Sequence, residues 1–200
     1  MASYCSVESS MSSCDRLSLL HSGPNGTHKV HYNALGDWDF ILDTQQPVDI
    51  SFAIPHYRAR HQPIDHRLSM FVGADASSVK LKVCRPVPRC KFYLEVQAGT
   101  SNVTIWLPSD FRGRIRHSGR ATYSAGFINR MMGNVRLNEE AYAKWNGDEV
   151  LVQTGGAVTF RMWDVHTSAP EKLHKETLKR LFSCKKAPET RINWDFLLDD

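Results

Sequence analysis

The sequence predicts an all-β domain of stacked antiparallel strands, solenoid-like or sandwich-like, with one α-helix at its C-terminal end. Three observations carry this. Residues 96–105 return as residues 152–160 with one residue fewer at the turn, and each copy reads as strand, tight glycine-containing turn, strand. From residue 68 onward short segments alternate apolar with polar side chains, the period of a strand buried on one face. Turn signals separate them at nearly regular spacing, as in a sandwich, barrel or solenoid.

Residues 1–20 are Ser-rich without hydrophobic period and read as a flexible segment. The β-domain then covers residues 21–167. It opens with a turn-rich connector around Pro24-Asn25-Gly26, followed by strands at 38–42 and 48–54. Residues 55–67 hold two prolines and no apolar period, which makes them a long surface loop. Strands follow at 68–72, 79–83, 92–96 and 102–107, the last ended by Pro108. Further strands are expected at 114–117, 121–123, 133–137, 149–153 and 157–165, with a short helix over 139–144. Ser168-Ala169-Pro170-Glu171 has the form of a capping box and opens a helix within 168–186. Its apolar stripe is Leu173, Leu178, Leu181 and Phe182, and its last turn is basic. Residues 187–200 form a docking tail in which Trp194-Asp195-Phe196-Leu197-Leu198-Asp199 echoes Trp38-Asp39-Phe40-Ile41-Leu42-Asp43. Either Trp194, Phe196 and Leu197 complete a sheet, in their own chain or a partner's, or the six-residue match is chance.

Composition narrows the class. A net charge of +4 is too mild to mark a nucleic-acid partner. No apolar run reaches the ~18 residues needed to span a bilayer. The first residues lack the basic-then-apolar plan of a secretory signal, so a cytoplasmic location is expected. Five cysteines, an odd number, suit a reducing compartment. Cys84 and Cys90 flank Arg85-Pro86-Val87-Pro88-Arg89, where a bend would permit a disulfide and a reducing compartment would keep two thiols.

Two blocks resemble a known family. They are Val96 to Phe111 followed by Arg112-Gly113, containing Leu107-Pro108-Ser109-Asp110-Phe111, and Gly147-Asp148-Glu149 leading to Phe160. They are similar to an uncharacterised family of fungal proteins, mostly from mushroom-forming species, described only as a domain of unknown function. The resemblance covers roughly residues 68–165 and implies repeats like those of bacterial adhesin-like β-solenoid domains. This chain departs from the pattern at its turns: Gly99-Thr100-Ser101-Asn102 lacks the glycine after Asn, and Thr154-Gly155-Gly156 replaces Thr-Ser-Asn-Gly. The family brings no catalytic residues to transfer.

Candidate chemistry is sparse. No nucleophile elbow, phosphate loop or dinucleotide fingerprint occurs, and no cofactor is implied. His56, His61 and His66 make a candidate metal set, although a spacing of five shares no face of a helix or strand. Arg112, Arg114, Arg116 and His117, with Trp106, Tyr123 and Trp163 in the repeat register, could hold an anionic or aromatic ligand; a solvated strand face over core aromatics is the simpler account. Asp110, Asp148 and Glu149 are possible acid–base groups whose meaning depends on their separation. The leading expectation is a binding or assembly module without catalysis, self-associating through a strand edge or its tail. The alternative is a cofactor-independent small-molecule enzyme with a pocket in the β-scaffold.

Overall fold

The computed structural model describes residues 23–75, 77–86, 90–139 and 146–172. The apolar alternations become strands buried on one side. In chain order these are β1 (Asn25–Lys29), β2 (Phe40–Thr44), β3 (Val48–Ala53), β4 (Leu68–Ala74) and β5 (Val79–Cys84). Then come β6 (Phe92–Gln97), β7 (Val103–Pro108), β8 (Gly113–His117) and β9 (Arg120–Tyr123). A short helix α1 (Ala125–Arg130) precedes β10 (Val135–Leu137), β11 (Asp148–Gln153), β12 (Ala157–Asp164) and β13 (Ala169–Pro170). Residues 55–67 hold no strand or helix, as the two prolines require.

The strands form two sheets. Sheet 1 runs β1-β3-β5-β7-β12, with β9 and β13 both pairing β12; sheet 2 runs β10-β8-β11-β6-β4-β2. The expected antiparallel stacking is overturned: every pairing is parallel except the two-residue β12–β13 contact. The all-β character stands. The glycine turns are not hairpins. Each carries the chain from a strand of sheet 2 to a strand of sheet 1, so the two strands of one rung never pair and equivalent strands of successive rungs do. The rungs are β2–β3, β4–β5, β6–β7, β11–β12 and β8–β9, in spatial order.

That order departs from the chain at one place. The β11–β12 rung sits between β6–β7 and β8–β9. The two copies of the sequence repeat therefore lie directly on one another, with Val152 paired to Val96 and Val158 to Val103. Their turns are bonded too: Gly155 N donates to Gly99 O at 2.7 Å and Thr154 Oγ1 to Ser101 O at 2.7 Å. Gly99 has φ +44°, and a Cβ there would stand 2.8 Å from Asp75 O of the previous rung, so both conformation and space require glycine.

The core lies between the sheets as ladders of like residues. Sheet 2 contributes Phe40, Met70, Leu94, Val150 and Ile115, in register across five strands. Sheet 1 faces them with Ile50, Leu81, Ile105, Phe160 and Tyr123. Helix α1, which the sequence pattern did not reveal, covers one end: Phe127 is fully buried and its ring lies 5.3 Å from Tyr123 and 6.1 Å from Phe160. Ser124 caps it, its Oγ accepting from Phe127 N. Six residues are too few to display a 3.6-residue period, which is why the pattern missed it.

The capping-box residues do other work. Ser168 adopts φ +49° and Ala169–Pro170 pairs with Trp163 and Asp164 as β13. Glu171 is buried and accepts from the α1 amide Gly126 N at 2.9 Å and from Arg161 Nε at 3.4 Å. The rest of the helix expected in 168–186, the docking tail and most of the short helix at 139–144 lie outside the described residues. Among the described residues no helix is long and apolar enough to cross a membrane.

Candidate functional site

The charged groups of the sheets converge on the first two residues of β11. Alternation along a strand sends Asp148 and Glu149 to opposite sides, and each meets arginines there. Asp148 is buried at the corner of its rung. Its Oδ1 accepts from Arg85 Nη1 at 3.0 Å and from Phe92 N at 3.2 Å, and its Oδ2 lies 2.9 Å from the same Nη1. The other arm of the Arg85 guanidinium, Nη2, reaches Asp110 Oδ1 at 3.0 Å, and Nη1 also donates to Cys90 O. Arg85 is itself only 3% exposed. One buried guanidinium thus ties together the ends of three rungs: β5, the β7–β8 turn and β11.

The family-like motifs explain themselves here. Asp110, Phe111 and Gly113 stand in Leu107-Pro108-Ser109-Asp110-Phe111-Arg112-Gly113. Asp110 holds Arg85, Phe111 packs in the core 5.8 Å from Phe92, and a Cβ on Gly113 would stand 2.2 Å from Asp148 O. Only glycine lets β8 approach β11 this closely.

Glu149 lies on the outer face of sheet 2. Its Oε2 accepts from Arg67 Nη1 at 3.0 Å, and its Oε1 from Arg114 Nη2 at 2.9 Å and Arg116 Nη2 at 3.0 Å. Beside it, Arg67 stands over the Tyr93 ring, Tyr93 Oη donates to Glu95 Oε2 at 2.7 Å, and Trp38 stacks on Tyr93 with ring centres 5.7 Å apart.

The two carboxylates are pushed opposite ways. Burial raises Asp148 above the ordinary 3.8 by more than Arg85 and the Phe92 amide lower it. Burial also acts to raise Glu149, but the Arg67 hydrogen bond and the charges of Arg114 and Arg116 outweigh it and hold the group below 4.5. Glu149 therefore contributes stability that is present above pH 4.5 and is lost as pH falls through its depressed folded value. Asp148 has the reverse sign: its contribution is full below pH 3.8 and declines as pH rises through its raised folded value. Replacing Glu149 with glutamine is expected to cost about 3 kcal/mol at pH 7, the low end for a broken buried pair because Arg67 and Arg116 reach solvent. Urea unfolding between pH 3 and 7 should show the deficit shrinking toward the acid end. A deficit that stays constant would refute the Glu149 assignment.

Above Arg85 opens a cleft of about 430 Å³, lined by Arg85, Lys91 and Arg112 on the cationic side and Asp110 and Asp148 on the anionic side, with Ser109 and Asn134. Lys91 Nζ donates to Asn146 Oδ1 at 3.1 Å. Arg112 is exposed and has no hydrogen-bond or ion-pair partner among the described residues.

The seven residues expected to share a ligand site fall in separate places. Arg114 and Arg116 hold Glu149, and Arg112 lines the cleft. Trp106 lies on the outer side of sheet 1 between Lys82, 5.5 Å from its ring centre, and Arg161, at 5.3 Å. His117 Nε2 and Tyr123 Oη approach to 3.2 Å between the sheets, and Trp163 pairs with Pro170 at the β13 contact. The three loop histidines are also apart. His66 Nε2 bonds Asp39 Oδ2 at 2.7 Å, His56 contacts Tyr57, and His61 is exposed. Among the described residues no three His, Cys, Asp or Glu side chains are grouped to hold a metal ion. Trp194, Phe196 and Leu197 lie outside the described residues. Cys84 and Cys90 are free thiols; burial pushes Cys84 up to about 11, and burial likewise raises Cys90.

Sequence reasoning passed over Arg85. The signal was the pairing of Asp148 with Glu149 at the head of a strand, where alternation forces two carboxylates to seek cations on two sides. No curated protein and no solved structure matches the chain. A family model described as a domain of unknown function, DUF7330, matches residues 41–140, which take in β3 to β10, all of β2 but its first residue, and the Arg85–Asp110 corner. The chain belongs to the DUF7330 family.

Proposed function

We propose that this domain is a non-catalytic β-solenoid binding module that takes a small anionic ligand in the cleft above Arg85. The supporting observation is the charge of that cleft: three cations face two carboxylates, and Arg112 has no partner among the described residues. Arg85 is committed to Asp110 and Asp148 and serves as a rigid floor. Arg112 and Lys91 supply the charge at the mouth, and Ser109 and Asn134 the polar groups that would orient hydroxyls. A carboxylate or phosphate carrying hydroxyl groups fits this lining.

A thermal-shift screen of small carboxylates and phosphates tests it. A ligand at a hundred times its Kd should stabilise the fold by about 2.7 kcal/mol. Arg112→Ala, a surface change, should weaken that ligand about tenfold or more without altering the melting of the free protein. If no anion at millimolar concentration moves the melting temperature, the reading fails.

One observation favours an enzyme instead. Asp148 is raised by burial and shares a guanidinium with Asp110 at the cleft floor, a setting in which a carboxyl can serve as a proton donor. Chemical conversion of the bound ligand, read by its mass, would move the assignment there. The cytoplasmic location belongs to the same proposal, supported by the free thiols of Cys84 and Cys90. So do the fungal source and the adhesin-like repeats; the parallel two-sheet stacking supports the latter.

A further inference from the structure

One end of the solenoid is half a rung short. In sheet 1, β1 pairs with β3 and extends the stack beyond the β2–β3 rung; in sheet 2, β2 is the last strand. Among the described strands, none occupies the sheet 2 position opposite β1. The core shows the gap. Phe40 and Leu42 are each 8% exposed, whereas no other residue of the buried apolar core exceeds 3%. On the outer side of β2, Ile41 is 43% exposed.

The chain carries a second copy of this edge strand. Residues 194–199 match residues 38–43 at five of six positions, the sixth exchanging Ile for Leu. In this solenoid, in-register parallel stacking places like residues on like, as Leu94 on Met70 and Val96 on Val72. We propose that residues 194–199 add to the free edge of β2 as a parallel strand of sheet 2 in the same molecule, completing the rung begun by β1. The register then sets Phe196 on Phe40 and Leu198 on Leu42, closing the end of the core, and Leu197 on the exposed Ile41. Asp195 falls beside Asp39, whose carboxylate is already held by His66 and Ser69. Asp199 falls beside Asp43, where solvent screens the like charges.

Length and concentration select the same molecule. The described chain ends at Lys172, just past β13, which stands one strand beyond β12 in sheet 1 and five strand spacings from β1, the level of the proposed strand. Five strand spacings are about 24 Å, and residues 173–193 can span about 70 Å when extended. A tethered strand acts at roughly millimolar effective concentration, far above a second copy at micromolar protein.

Hydrogen exchange of the full chain tests this, with solution mass measured alongside. The β2 amides should be protected in the unmodified protein and exchange at least tenfold faster in Phe196→Asp, while the amides of β6 and β11 stay unchanged. The mass should be monomeric in both, and a peptide of residues 190–200 added to the variant should restore protection. Equal β2 exchange in the two proteins would overturn the proposal. A dimer that Phe196→Asp converts to monomer would overturn the same-chain assignment in favour of a second copy. The cleft ligand does not enter either readout.

Discussion

Replacing Arg85 with methionine is expected to cost about 3–5 kcal/mol, because it removes the buried guanidinium that holds both Asp148 and Asp110. The methionine fills most of the volume, so the loss is electrostatic rather than a cavity. Asp148 is already raised by burial, and Arg85 acts to lower it, so without Arg85 it rises further. The double variant Arg85→Met, Asp148→Asn should recover a large part of the loss, since the Asn side chain needs no cation and its oxygen can still accept from Phe92 N. Urea midpoints of the wild type, the two single variants and the double variant give the coupling directly. A single-variant loss under about 1 kcal/mol would show that the corner is held by strand pairing and not by the guanidinium.

Truncating Phe160 to alanine should cost about as much, 3–5 kcal/mol, by a different mechanism. Phe160 is fully buried in β12 and stacks on Tyr123 at 5.7 Å with an interplanar angle of 14°. It also contacts Phe127 of α1 and His117. The cavity would open beneath the helix that closes this end of the stack, so the effect should be regional. Hydrogen exchange is expected to quicken in β9 and α1 first and to spare β4 and β5. Uniform acceleration across both sheets would show that the end cap and the central rungs unfold as one unit.

The ladders were legible because each strand is half-buried, and alternation in residues 79–83, 92–96 and 103–107 marks the inward face whatever the sheet topology. The repeat was legible for the same reason, and its two copies proved to be neighbouring rungs. Strand direction was not. A glycine turn between two alternating segments has nearly the same local sequence whether the chain folds back beside itself or crosses to a facing sheet. The choice rests on contacts such as Thr154 Oγ1 to Ser101 O, which join residues more than fifty positions apart. The candidate site divided in the same way. Arg114 and Arg116 share a strand face and so could be paired from sequence, whereas Arg85, Asp110 and Asp148 come from three separate rungs.

By itself, then, the sequence determined which residues face inward, where the chain turns, and that two segments are structurally equivalent, all of which follow from local periodicity and glycine chemistry. The tertiary structure alone decided that the strands run parallel, that β11–β12 enters the stack ahead of β8–β9, and that one arginine gathers two distant carboxylates. These depend on the free energy of burying side chains and charges brought together from far along the chain, and no local pattern encodes that partnership.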